Sequence, residues 1–113
     1  MMLVRWGNKC PLSGIDDPRL LRASHIKAWA DCPRHDPLEG RLNEHNGLLL
    51  AAHLDAAFDV GLISFGEDGQ LLRSRELSSQ NFEALGVPGG AKLVPSEESK
   101  RFLCWHRAKH GYD

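Results

Sequence analysis

Three ionisable side chains crowd one short stretch of this chain: His53, Asp55 and Asp59. They belong to residues 43–62, which read N-E-H-N-G-L-L-L-A-A-H-L-D-A-A-F-D-V-G-L. On a helix, Asp55 and Asp59 leave from the same face, one turn apart. Two like charges at that spacing repel unless a cation sits between them. An ordinary helix start needs one polar cap, not three ionisable groups. Upstream lies His25, between small and apolar neighbours in A-S-H-I. Alone, such a histidine reads more readily as a hydrogen-bonded structural residue. A neutral imidazole, with an ordinary pKa of about 6.5, is also a competent general base.

The flanking sequence has to hold these groups in place. Asn46-Gly47 is a strong turn signal, and Leu48-Leu49-Leu50 reads as a short buried strand. Residues 53–58 read as a helix that stops near Gly61. Residues 62–65 and 70–74, joined across Gly66-Glu67-Asp68-Gly69, predict a β-hairpin. Residues 78–81 can cap a short helix ending at Gly86, and Pro95-Ser96-Glu97-Glu98 opens a longer one. Residues 20–29 fit either a kinked strand or a short helix, because their period-two alternation is weak. Residues 31–41, with two prolines, a glycine and six ionisable side chains, read as a loop. Phe58 and Trp29 are expected in the core, whereas His35 and His45 are expected to be exposed loop residues without a role.

Length and composition narrow the classes. At 113 residues there is room for one domain, read here as a single α+β unit over 1–113. Its core motif spans about 10–75 and its C-terminal helix about 95–110. A hydrophobic content of 42% with 26% charged residues excludes a disordered chain. The formal net charge of −1 gives no overall basic field, so a nucleic-acid site must be a local patch. Lys27, Arg22, Arg34 and Arg41 are candidates to grip phosphates, with solvated surface charge an equal alternative. No apolar run reaches membrane-spanning length and no signal-peptide core is present, so no membrane partner and a cytoplasmic location are expected. The three cysteines, Cys10, Cys32 and Cys104, form no C-x-x-C pair. They read as reduced thiols in or near the core, ahead of a zinc site built with His35.

The order of motifs matters more than any one of them. Cys10-Pro11-Leu12-Ser13-Gly14 is followed by Ala23-Ser24-His25-Ile26, then Asn46-Gly47-Leu48-Leu49-Leu50, then residues 53–64, H-L-D-A-A-F-D-V-G-L-I-S. In that order they resemble the HNH endonuclease family, and more closely a subgroup reading A-x-H-I, N-G-L-x-L and H-x-D-x-x-F-D-x-G-L-I-S. The resemblance implies a ββα-metal core, here with an added β-hairpin and a C-terminal helix. His25 matches the general base that activates water, and Asn46 the asparagine that braces the loop and orients the base. Asp55 stands at the third family position, so the chain reads H-N-D, and Asp59 matches a second metal-binding position on the helix. Ser24 stands where many members carry an Asp or His ligand, and His53 is a candidate for that vacancy. The paired cysteines that hold structural zinc in other members are reduced to Cys10.

The implied activity is hydrolysis of DNA phosphodiester bonds, of restriction or defence type, with one divalent ion. Mg²⁺ or Mn²⁺ suits the carboxylates best, with Ni²⁺ or Zn²⁺ as further options. DNA would be held through its backbone by Lys27, Arg22 and Arg41, with specificity supplied by a domain or subunit outside this chain; a homodimer is open. Two rivals stand beside this reading. One is a degraded module of the same fold that binds nucleic acid or protein without cutting, and the other is a small structural zinc domain.

Overall fold

The computed structural model describes residues 6–27 and 44–112. The expectations for Trp29 in the core and for Cys32, Arg34, His35 and Arg41 in the loop fall on residues outside these. Among the described residues the elements run β1 (Leu21–His25), β2 (Gly47–Ala51), α1 (Ala52–Asp59), β3 (Ile63–Phe65), β4 (Leu71–Arg73), α2 (Ser79–Ala84) and α3 (Glu97–Lys109). Two 3-10 turns, Pro18–Leu20 and Glu44–Asn46, lead into β1 and β2. Two antiparallel sheets of two strands each and three helices make an α+β architecture, with β1, β2 and α1 in ββα order.

The ambiguous segment after residue 20 is a strand. It pairs antiparallel with β2, placing Leu21 opposite Ala51, Ser24 opposite Leu48 and His25 opposite Gly47. Its alternation is weak because neither face is uniformly wet: Leu21 and Ser24 are buried, Arg22 and Ala23 exposed. β2 is buried at all five positions, as a continuous apolar run bounded by turn residues suggests.

α1 begins directly at the end of β2, without a side-chain cap. Leu54, Ala57 and Phe58 form its buried stripe. Its end is a Schellman motif: the Leu62 N–H donates to the Ala57 carbonyl at 2.9 Å and the Gly61 N–H to the Phe58 carbonyl at 3.1 Å. Gly61 takes φ +79°, and a Cβ there would lie 2.3 Å from His110 Nδ1, so two constraints demand glycine. The β3–β4 hairpin turns through Gly66-Glu67-Asp68-Gly69, closed by Gly69 N–H to Gly66 O at 2.9 Å.

α3 starts at Ser96, whose Oγ accepts from the Ser99 N–H at 3.1 Å. Glu97 and Glu98 sit in its first turn and His106, Arg107 and Lys109 in its last, complementing the helix dipole. It buries Ser99, Phe102, Leu103 and His106, one face at the helical period. Phe58, Phe65, Ile63, Leu103 and the three leucines of β2 form the centre of the core. No described helix is long and apolar enough to cross a membrane.

Candidate active site

His25 ends β1, half-buried, at the point where the chain leaves the hairpin. The backbone just beyond it is tied down by Asn46. The Asn46 side-chain oxygen accepts from the Lys27 N–H at 2.7 Å, and its Nδ2 donates to the Lys27 carbonyl at 3.1 Å. Its own carbonyl accepts from the Ile26 N–H at 3.2 Å. Asn46 is fully buried, so each of these bonds replaces water it cannot reach. The turn former is therefore also a clamp on the two residues after His25.

Asp55 and Asp59 leave α1 beside its buried stripe, Asp55 half-exposed and Asp59 exposed. Among the described residues, neither is held in a hydrogen bond or a salt bridge, although the charge of Asp59 reaches the His110 ring. Two uncommitted carboxylates on one helix face fit a hard cation by donor chemistry. Among the described residues, no group of three or more His, Cys, Asp or Glu side chains stands together as a metal cage. His53 lies about 200° round the helix from Asp55. Its Nε2 is 2.9 Å from the Leu85 carbonyl, which can only accept, so Nε2–H donates there. To join Asp55 the ring would have to leave Leu85 and cross the helix. Ser24 is buried within the hairpin.

The basic candidates divide. The Arg22 guanidinium turns back onto the Leu21 carbonyl at 2.9 Å and that of Arg19 at 3.4 Å. Lys27 extends its ammonium over the Trp105 ring, 5.6 Å from the centroid, and Lys109 approaches the same ring at 5.0 Å. Two cations share one indole next to the clamp beyond His25. Arg41 falls outside the described residues.

Two features went unread in the sequence and a third was read only in part. His45, expected to be idle and exposed, is half-buried: its Nδ1 lies 2.8 Å from Ser96 Oγ and its Nε2 3.5 Å from Glu98. Ser99, fully buried, donates to the His45 carbonyl at 2.8 Å and receives the Ser96 hydroxyl at 2.9 Å. With both hydroxyl protons so directed, His45 Nδ1 is the donor to Ser96. The start of α3 thereby grips the turn that presents Asn46. Nothing in the loop's composition pointed there, since the partners are about fifty residues away.

His106 is the second. Its Nε2–H donates to the Phe58 carbonyl at 2.8 Å, and Nδ1 meets Ser64 Oγ at 2.7 Å. The ring stacks on Phe58 with centroids 3.9 Å apart. Burial pushes its pKa down to about 4, opposed by the bond to Phe58 and reinforced by the nearby His110 and Lys109. It is a neutral structural pin. Its position seven after Ser99, three after Leu103 and four after Phe102 was the available signal.

The cysteines are the third. Cys10 is buried and Cys104 exposed, so the expectation of thiols in or near the core fails for Cys104, which α3 turns to solvent. Around Cys10 the turn is intact: the Ser13 N–H points at Cys10 Sγ at 3.5 Å and the Gly14 N–H donates to the Cys10 carbonyl at 2.9 Å.

A search of curated proteins finds no match. The profile of the HNH endonuclease family matches residues 10–66, a span that holds β1, the Asn46 clamp, β2, α1 and β3. Since that match takes in half of the sequence, this chain belongs to the HNH endonuclease family.

Proposed function

We propose that this domain hydrolyses DNA phosphodiester bonds with a divalent metal, His25 acting as general base and Asp55 and Asp59 as the carboxylate ligands. The observation that supports it is the uncommitted carboxylate pair on the helix after a hairpin whose His25 end is clamped by Asn46. His25 takes the proton from the attacking water, and Asn46 holds the adjoining backbone so that the imidazole is presented in one place. A bound Mg²⁺ or Mn²⁺ ion would supply Lewis-acid stabilisation of charge on the phosphoryl oxygens. Asp55 and Asp59 suffice for such an ion, because Mg²⁺ is usually held by one or two carboxylates with water and phosphate oxygens completing its shell. Lys27, with Arg22 and Arg41, contacts the DNA backbone, which positions the substrate without reading its sequence. A restriction or defence role then requires specificity from a further domain or subunit.

The test is cleavage of supercoiled plasmid by the purified protein with Mg²⁺, Mn²⁺, Ni²⁺ or Zn²⁺. Wild type should cut, while His25→Ala and Asp55→Ala should lose about a hundredfold or more in rate. No cutting with any metal, or equal rates in the three proteins, overturns the assignment.

A second reading, a non-cutting module of the same fold, is favoured by one observation. Ser24, at the position that many members give to an additional ligand, is buried within the hairpin. Calorimetric titration with Mn²⁺ separates the two, since the module predicts no binding that depends on Asp55 and Asp59.

A further inference from the structure

Beyond residue 66 the chain builds a cleft of about 560 Å³, lined by Arg73, Arg75, Glu76, His110 and Tyr112. None of these residues belongs to the segment that matches the family. One wall is pinned beside the end of α1: the Tyr112 hydroxyl donates to the Gly61 carbonyl at 2.8 Å, and the His110 ring fills the space a Gly61 Cβ would need. The opposite wall is pinned one residue further on, where the Ser74 N–H donates to the Leu62 carbonyl at 3.0 Å. The cleft therefore opens two to three residues beyond Asp59.

Its two arginines are prepared differently. Arg73 sends its guanidinium toward α2, 5.3 Å from the Phe82 ring centroid and 3.4 Å from Ser79 Oγ, beside the cleft. Arg75 is exposed and, among the described residues, makes no hydrogen bond or ion pair. Arg73 and Arg75 line the cleft with one acidic residue, Glu76, in a molecule whose net charge is −1. Guanidinium forks match phosphate oxygens in geometry. The Tyr112 hydroxyl is spent on Gly61, so it shapes the wall without recognising the ligand.

We propose that this cleft is a second nucleic-acid contact, in which Arg75, with Arg73 beside it, holds a backbone phosphate of the substrate flanking the one cut beside α1. The proposal rests on the nuclease reading and deepens it by adding a positioning contact from outside the family segment. Glu76 works against the phosphate and limits how tightly the product is retained.

The test is binding of a fluorescein-labelled DNA duplex to the full chain in EDTA, where no cutting occurs, across a series of NaCl concentrations. Arg75→Gln, which disturbs no folded contact, should weaken binding about tenfold at low salt and lower the slope of log K against log salt by about one. Glu76→Gln should tighten binding about two- to threefold, an effect that misfolding cannot mimic. If both variants match wild type while Lys27→Gln weakens binding, the cleft is overturned and the nuclease reading survives. Absence of duplex binding by wild type overturns the cleft as a nucleic-acid contact, while the nuclease reading is decided by the plasmid assay with metal. If Arg75→Gln weakens only the binding of a free mononucleotide, the cleft is a small-molecule site and the proposal fails.

Discussion

The carboxylate of Asp59 leaves the last residue of α1, where unpaired carbonyls already concentrate partial negative charge, and Asp55 adds a full charge one turn earlier. Folding gains nothing from an anion there. Asp59→Asn should therefore raise the stability of the metal-free protein by about 0.5–1 kcal/mol, a few degrees in Tm. The same variant should lose any rise in Tm that Mg²⁺ or Mn²⁺ gives to wild type. Thermal melts with EDTA and with metal check both halves, and a metal-independent loss of stability would refute the ligand role. At this scale the sequence was readable: a carboxylate pair at i, i+4 and an Asn-Gly turn are local patterns. The roles of His45 and Ser99 were not, because what they touch is set by tertiary packing.

Between elements, the His106 imidazole joins α3 to the end of α1 and to β3 through Phe58 and Ser64. The folded pKa of about 4 lies below the ordinary value of 6.5, so the unfolded chain takes up a proton that the native protein refuses. Its contribution is complete above pH 6.5 and is lost as pH falls from there toward 4, on the order of 3 kcal/mol in all. His106→Gln keeps a donor and an acceptor near the same partners. It should be less stable than wild type at pH 7, with a Tm that falls less steeply between pH 6.5 and 4.5. An unchanged pH slope would remove the linkage. Helix ends and the second hairpin were legible because Ser78, Ser96 and the glycines at 61, 66, 69 and 86 carry their own local energetics. β1 was not, because its burial depends on what packs over it.

Across the whole molecule, the family segment leaves out α3, yet α3 supplies Phe102 and Leu103 to the core, both at 2% exposure or less. Burying two such side chains is worth about 3–6 kcal/mol, comparable to the entire stability of a small domain. A chain ending at residue 94 should therefore lose cooperative unfolding by circular dichroism, with an ANS-binding, collapsed product. A sharp melt from that truncation would show residues 1–94 to be self-sufficient. The α+β class was legible from spacing and the ββα order from the family resemblance, whereas the docking of α3 against the Asn46 turn depends on pairings the sequence does not announce.

Those pairings set a clock. His45 waits for Ser96 and Ser99, 51 and 54 residues later, and Gly61 waits for Tyr112, another 51. Chains emerge from the ribosome at roughly 5–20 residues per second, N-terminus first, and long-range contacts close late. His25, Asn46, Asp55 and Asp59 are all translated before the helix that locks their turn exists. A half-made chain thus carries the proposed catalytic groups before α3, which follows them in synthesis, can brace their turn.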